Sequence, residues 1–143
     1  LLVMAGEGEH EPELRERARP YGERVRFVPN VRGKVEAFLS ACDLLVFAPS
    51  PTEGEPRVIV MAQLVGVPVV ATDSEGAHGL IPPGAGMIVS PSHDARALAE
   101  VVSGYHDDPD RRRAEGETAR RVTLESHDTE RTLRSVERAL GLG

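Results

Sequence analysis

Cysteine is nearly absent from the sequence, and long apolar runs are absent too. Cys42 is the only cysteine in 143 residues, so no disulfide can form within the chain, which fits a reducing compartment. Its neighbours Ala41 and Leu44 predict a buried and unreactive thiol. The longest mainly apolar run, residues 58–71, is interrupted by polar and helix-breaking residues and falls short of the roughly 18 residues that a membrane span needs. We therefore expect a cytoplasmic protein without a membrane span.

Positive charge is also in deficit. The formal net charge is −6 at pH 7, so we expect no broad surface for nucleic acid or for anionic membranes. The N-terminus has no basic, signal-like segment. The histidines are scattered without metal-ligand spacing, and no order of residues resembles a Ser-His-Asp triad or a P-loop. Metal and triad chemistry are therefore not expected.

Short apolar runs alternate with helical patterns along most of the chain. The runs predict five buried strands, at residues 1–5, 25–28, 44–48, 68–72 and 87–89. The patterns between them predict crossover helices at residues 12–19, 34–41, 57–65 and 94–105. Asp108 before Pro109 predicts a capped helix, and Ser126 or Asp128 can cap a last helix through Leu140. We expect one α/β domain over residues 1–143, with a parallel sheet flanked by helices and with extra C-terminal helices.

Ligands of open parallel sheets bind beyond the carboxyl ends of the strands, and this rule selects three loops. The loop from Gly6 to His10 begins like a dinucleotide fingerprint, but Glu11 replaces the third glycine and the glutamates around it would repel a pyrophosphate. The loop after Thr72 contains His78, a candidate general base to which the sequence assigns no partner acid. The alternative is that His78 is a solvated bystander.

The remaining loop, "APSPTEGEPR", places Glu53 and Glu55 directly ahead of an apolar helix. A helix N-terminus carries about half a positive charge, so it accepts either its own acidic side chains or an anionic ligand. Gly54 permits a close approach of the backbone to a ligand, and Arg57 at the helix start suits a phosphate. Helix capping and ligand binding are both open at this point.

Five segments in order carry a resemblance to a known family: "LLVMAGEGE", "RVRFVPNV", "FLSACDLLVFAPSPTEGEPRVIVMAQLVGVPVVATD", "GAGMIVSPSHDARALAEVV" and "ESHDTERTL". The chain resembles the C-terminal, donor-binding domain of retaining glycosyltransferases with two Rossmann-like domains, the GT-B architecture, in the large bacterial group 1 family of mannosyl- and glucosyltransferases. The resemblance covers nearly the whole chain and is most specific between Pro49 and Asp73. It implies transfer of a sugar from a nucleoside diphosphate sugar to an acceptor, with retention and without a bound metal or cofactor.

The resemblance also implies roles for individual residues. Glu53 takes the place of the carboxylate that holds the donor sugar, and Gly54, Glu55 and Pro56 form the turn that contacts the sugar. Arg57 is the candidate partner of the diphosphate. Met61 takes the place of a second glutamate that binds the ribose hydroxyls, and because a thioether accepts hydrogen bonds poorly, this contact would be weakened.

Several departures from the family pattern leave alternatives open. Glu55 and Gln63 repeat the spacing of the two family glutamates in a second register, which we interpret as a coincidence. Pro29 stands in place of a glycine that contacts the base, and Gly79 stands in place of a frequent glutamate. These departures leave two alternatives. Either the donor is bound by other residues than in the family, or the protein is a degenerate relative that binds a sugar nucleotide without catalysis.

A different enzyme on the same fold, such as a sugar-nucleotide epimerase or a hydrolase using Glu53 with Glu55, is a further alternative. The hydrolase is disfavoured because its two acids must flank the scissile bond at roughly 5–10 Å. We expect the acceptor to bind through a separate N-terminal domain, so that this chain alone is inactive. Self-association through exposed faces is left open.

The sequence begins at Leu1, inside an apolar run, so we expect a fragment that lacks the first strand. In the resembled domain the sheet order is 3-2-1-4-5-6, and the missing strand would be the central one. Its absence would separate the strands at residues 1–5 and 44–48 by about 9.6 Å, twice the spacing of neighbouring strands. Direct hydrogen bonding between those two strands would refute this expectation.

Overall fold

A computed structural model describes residues 1–31, 33–49, 56–90 and 94–141. These residues form two compact units, Leu1–Phe38 and Leu39–Gly143. The strands are β1 (Leu2–Ala5), β2 (Val25–Val28), β3 (Leu45–Phe47), β4 (Val69–Thr72) and β5 (Gly86–Val89). The helices are α1 (Glu11–Ala18), α2 (Val35–Leu39), α3 (Arg57–Leu64), α4 (Glu75–His78), α5 (Ala95–Asp107), α6 (Pro109–Ser126) and α7 (Thr129–Ala139). A 3₁₀ segment, Arg19–Arg24, follows α1.

The first unit contains a parallel pair of strands joined by a helical crossover. β1 and β2 pair in register from Leu2 opposite Val25 to Ala5 opposite Val28. The crossover helix α1 packs through Arg15, whose guanidinium lies 4.5 Å from the centre of the Phe27 ring. Arg15 therefore shields one face of β2 while its charge stays at the surface.

The second unit contains a three-stranded parallel sheet in the order β3-β4-β5. All four residues of the central strand β4 are buried, as expected for a strand with a neighbour on each side and helices on both faces. β1 and β3 belong to different sheets, so the direct pairing that would refute an intervening strand is not found among the described residues. The presence of a strand before Leu1 stays a prediction.

Two glycines of the second unit allow a helix-ending turn and a close packing contact on that turn. Gly66, with φ +81°, follows α3, and the amides of Gly66 and Val67 bond to the carbonyls of Gln63 and Ala62 at 2.9 Å, the Schellman pattern that ends a helix. A Cβ on Gly116 of α6 would lie 2.1 Å from the Gly66 carbonyl oxygen. Helix α6 can therefore pack on this turn only because residue 116 has no side chain.

The corner between α5 and α6 is closed by a buried tyrosine. Tyr105 is fully buried and packs against Val70 and Val89 of the sheet. Its hydroxyl donates a hydrogen bond to Glu115, and Arg111 both binds Glu115 at 2.8 Å and lies 4.2 Å from the centre of the tyrosine ring. Burial and the Glu115 carboxylate raise the pKa of the Tyr105 phenol. The cluster joins two helices to the core of the sheet.

The structure confirms the α/β alternation, the five predicted strands and the predicted caps of the last two helices, and it adds a cap at Asp94. Asp94 and Asp108 cap α5 and α6, and Asp128, not Ser126, caps α7 by accepting a hydrogen bond from the amide of Arg131 at 2.9 Å. Two elements were not predicted, the 3₁₀ segment after α1 and the short helix α4. Helix α2 is also shorter than predicted at both ends.

Three expectations from the composition concern the Cys42 thiol, membrane-spanning segments and the number of domains. Cys42 is half-buried, and burial, with a smaller contribution from the Asp43 carboxylate, raises the pKa of its thiol. Its reactivity as a thiolate at neutral pH is therefore low. In the described part of the chain, no helix is long and apolar enough to cross a membrane. Whether residues 1–143 behave as one domain stays a prediction.

Candidate functional site

The candidate site lies at the carboxyl edge of the three-stranded sheet. Because β3, β4 and β5 are parallel, the segments that follow Phe47, Thr72 and Val89 emerge at the same edge. The first of these segments leads into α3, and it contains Glu53, Gly54 and Glu55, which lie outside the described residues. Their predicted roles are neither supported nor contradicted by the geometry.

Two of the predicted site residues, Pro56 and Arg57, lie at the start of α3. Pro56 is buried and forms the N-cap, and as a proline it has no side-chain acceptor for the first amides of the helix. Arg57, the first helical residue, is exposed, and none of the ion pairs found among the described residues involves it. Among the described residues no side chain caps the helix start, and Arg57 beside it is an exposed cation, which is an arrangement that suits a phosphate.

Met61 lies one turn after Arg57. Residues four apart share a helix face, and the buried face of α3 is formed by Ile59, Ala62 and Gln63. Met61 is half-buried and lies on the other side of the helix, together with Arg57. This position suits a residue that faces a ligand near the helix start better than a residue of the core.

Gln63, the second residue of the alternative register, has a different role. Its side chain is 1% exposed. The amide nitrogen donates to the Leu80 carbonyl at 2.8 Å, and the amide oxygen accepts from the Thr123 hydroxyl at 2.9 Å. Because both ends of the side chain are occupied inside the protein, Gln63 is not available to a ribose. The interpretation of the second register as a coincidence therefore agrees with the geometry.

His78 has an acidic partner that the sequence did not indicate. Its Nε2 lies 2.6 Å from Oδ1 of Asp73, which directly follows β4. The hydrogen bond from His78, and a second one from Ser90, hold the pKa of Asp73 below its ordinary value. The pairing was missed because it depends on the helical turn of α4, which the apolar pattern does not reveal.

The same strand end carries two buried hydroxyl groups without partners. Thr72 is 4% and Ser74 is 6% exposed, and neither hydroxyl oxygen has a hydrogen-bond partner among the described residues. An unpaired buried hydroxyl costs about 1–3 kcal/mol. These two hydroxyls therefore do not stabilise the fold through hydrogen bonds to the described residues, and they make the carboxyl end of β4 polar.

The carboxyl end of β1 also forms a cavity, of about 360 Å³, within the first unit. Glu7, Glu9 and Glu11 contribute to its lining, together with His10 and the Phe27 ring. Three carboxylates at one opening disfavour a pyrophosphate, and the absence of a dinucleotide site here stays a prediction. The described residues contain no cluster of three or more acidic, histidine or cysteine side chains that could hold a metal ion.

Parallel sheets flanked by helices define a Rossmann-like domain, with the candidate site at the carboxyl edge of the three-stranded sheet. The family model described as "Glycosyl transferases group 1" matches residues 1–108. This span covers all five strands and the edge just described. The chain therefore belongs to the group 1 glycosyltransferases.

Individual relatives agree with this assignment. A GDP-mannose-dependent monoacylated alpha-(1-6)-phosphatidylinositol monomannoside mannosyltransferase of Corynebacterium glutamicum is 34% identical over 131 residues, which cover 83% of this chain and 33% of the relative. The crystal structure of Anabaena HepE in complex with UDP-glucose has a TM-score of 0.82 and 26% identity, covering 97% of this chain and 40% of that one. Sucrose-phosphate synthase from Thermosynechococcus elongatus has a TM-score of 0.81 and 25% identity, over 97% and 38%.

These matches also show what fraction of each relative this chain covers. It spans about a third of the length of the mannosyltransferase and two fifths of the HepE chain. The structural matches cover nearly all of this chain, so the similarity extends to the C-terminal helices as well as to the sheets.

Proposed function

We propose that this chain forms the nucleotide-sugar binding part of a retaining glycosyltransferase, which transfers a sugar from a nucleoside diphosphate sugar to an acceptor. The observation that carries the proposal is the family match over residues 1–108. HepE, a structural relative, is described in complex with UDP-glucose, and the mannosyltransferase relative is named as dependent on GDP-mannose. The two relatives differ in base and in sugar, so the proposal names the class of donor alone.

The roles proposed for the site residues follow the chemistry of the donor. Arg57 and the first amides of α3 bind the diphosphate and stabilise its negative charge as it leaves. Glu53 binds hydroxyl groups of the sugar, and Gly54, Glu55 and Pro56 form the turn beside it. Met61 faces the ribose from the same side of α3 as Arg57. The position of Arg57 and Met61 on one face of the helix supports this arrangement.

Two further parts of the proposal concern the rest of the protein. The acceptor binds through a separate domain, as expected when this chain spans a third of a relative. We also propose that the enzyme is cytoplasmic, where nucleotide sugars and a reduced Cys42 are both compatible with the environment.

The proposal is tested by calorimetric titration of the full-length protein with UDP-glucose, GDP-mannose and ADP-glucose, together with an assay of sugar release from each donor. We expect one donor to bind and to be hydrolysed or transferred. If the folded protein binds none of the three donors, the proposal is contradicted. Binding without any turnover would instead support the degenerate relative, which the Met61 replacement favours as the second candidate function.

Glu53 provides a sharper test of the site. Because a hydrogen bond to a charged group contributes about 1.5–3 kcal/mol, Glu53→Gln is expected to lower kcat/KM for the donor by about 10- to 150-fold, with little change in melting temperature. Glu117→Gln, at an exposed position of α6, is the matched control and should change neither quantity. A large fall in melting temperature with normal turnover would show that Glu53 only stabilises the helix start.

A further inference from the structure

The carboxyl end of β4 carries an imidazole-carboxylate pair that none of the site roles above includes. His78 and Asp73 are joined by a hydrogen bond of 2.6 Å, and their side chains are 59% and 37% exposed. The pair is anchored from the protein side, because the amide of Asp73 donates to the Val89 carbonyl at 2.9 Å. An exposed pair held in this way presents a defined group to a ligand.

The position of the proton follows from the partner. Two hydrogen bonds, the larger contribution coming from His78, hold the pKa of Asp73 low, so its carboxylate is ionised at neutral pH and can only accept. The His78 nitrogen that faces it, Nε2, must therefore carry the hydrogen. In the neutral ring the other nitrogen, Nδ1, then carries a lone pair that can accept a hydrogen bond.

The surrounding charge decides which ligand group suits this acceptor. Asp73 is next to the ring, and Glu75 is in the first turn of the same short helix. Two carboxylates disfavour a phosphate at this point and favour a neutral group that donates a hydrogen bond. A hydroxyl group of a sugar is such a donor. The buried hydroxyls of Thr72 and Ser74, which have no partner in the part of the chain that the structure describes, mark the same strand end as polar.

We propose that His78, positioned by Asp73, accepts a hydrogen bond from a hydroxyl group of the donor sugar at the carboxyl end of β4. This role rests on the proposed function, since it assigns a second contact to the sugar of the same donor. His78 is a binding residue in this arrangement, and Asp73 is a positioning residue that fixes the tautomer and the orientation of the ring.

The test compares nucleotide sugar with free nucleotide in the full-length protein. Calorimetry with UDP-glucose and UDP, and with GDP-mannose and GDP, gives the dissociation constants for wild type and for His78→Phe. We expect His78→Phe to weaken binding of the nucleotide sugar by about 2- to 12-fold, the range of one neutral hydrogen bond, and to leave binding of the nucleotide unchanged. His78→Gln keeps an acceptor and should recover part of the loss.

His106→Phe is the matched control. His106 is an exposed histidine near the end of α5, and because that helix runs back along the sheet, its end lies at the edge away from the site. This variant should bind both ligands as wild type does. Unchanged binding of the free nucleotide in the His78 variants serves at the same time as the check that they are folded.

The positioning role of Asp73 has its own readout. Asp73→Ala should weaken nucleotide-sugar binding in the wild-type background and have no further effect when combined with His78→Phe. Nitrogen NMR of the ring should report a hydrogen on Nε2 in the wild type, a mixture of tautomers in Asp73→Ala, and a shift of the Nδ1 signal with nucleotide sugar alone.

The outcomes separate this inference from the proposed function. If the wild type binds a nucleotide sugar and His78→Phe binds it equally well, the role of His78 is refuted and the donor site stands. Equal losses for nucleotide sugar and nucleotide also refute it, since they place the contact on the nucleotide or on the fold. If the folded wild type binds no donor, the proposed function fails, and this inference fails with it.

Discussion

A substitution of Gln63 can distinguish two roles of this residue, a stabilising contact within the protein and the ligand contact that the Glu55–Gln63 spacing would require. The first role predicts a loss of stability, and the second predicts a loss of donor affinity. Its side chain connects α3 to the Leu80 carbonyl and to the Thr123 hydroxyl of α6. Gln63→Met has nearly the same shape and leaves both of those groups unpaired. At the lower end of the cost of a buried unpaired group, about 1 kcal/mol each, the loss is about 2 kcal/mol.

A double-mutant cycle isolates the contribution of the pair. Thr123→Val leaves only the Gln63 amide oxygen unpaired, so it should cost about 1 kcal/mol. The double variant leaves only the Leu80 carbonyl unpaired and should also cost about 1 kcal/mol. The single losses then exceed the double loss by about 2 kcal/mol, which is a strong coupling for two side chains in contact.

Hydrogen exchange of peptides from α3 and α6, measured by mass spectrometry in the full-length protein, reports these local free energies. A loss of 2 kcal/mol corresponds to about 30-fold faster exchange through local opening. Donor affinity of the folded variants should stay within about threefold of wild type. Unchanged exchange, with donor affinity lowered more than about tenfold, would refute the structural role and restore Gln63 as a ligand contact.

Two further predictions concern α3 and α6. If Met61 faces the ribose, Met61→Glu should tighten nucleotide binding measured by calorimetry by roughly tenfold, since it restores a charged acceptor; unchanged or weaker binding by a folded variant would contradict that position. Gly116→Ala should destabilise the packing of α6 by about 1–3 kcal/mol, because its Cβ would lie 2.1 Å from the Gly66 carbonyl oxygen; exchange in α6 measures the loss, and Gly104→Ala, at a position with open space, is the control.

The elements of the fold could be predicted because their signals are local. Apolar runs between glycine, proline and aspartate identified the five strands, and the aspartates before α5, α6 and α7 accept hydrogen bonds from amides of the first turn, as a cap requires. The short helix α4 was missed because its sequence, EGAH, has no apolar period. A helix of one turn depends on the strand and the loop that hold it.

The contacts of the site were less predictable because they join residues through the fold. Sequence spacing suggested the same role for Gln63 and Met61, but the structure buries Gln63 against Thr123 and leaves Met61 on the face of Arg57. The partner of His78 likewise depends on where α4 turns the chain after β4. Side-chain direction on a helix follows from its buried face, and that face is defined only when the neighbouring elements are known.

Stabilising groups and the groups proposed to contact the ligand occupy different parts of the second unit. The Gln63–Thr123 pair lies on the buried side of α3, and the Tyr105–Glu115 pair closes the corner between α5 and α6; both use their polar atoms within the protein. At the carboxyl edge, by contrast, Arg57 is exposed and His78 is bonded only through the nitrogen that faces Asp73, as far as the described residues show. Since polar groups that the fold does not use are the ones available to a ligand, substitutions at the edge should change affinity with little effect on stability. Substitutions in the two buried pairs should do the reverse.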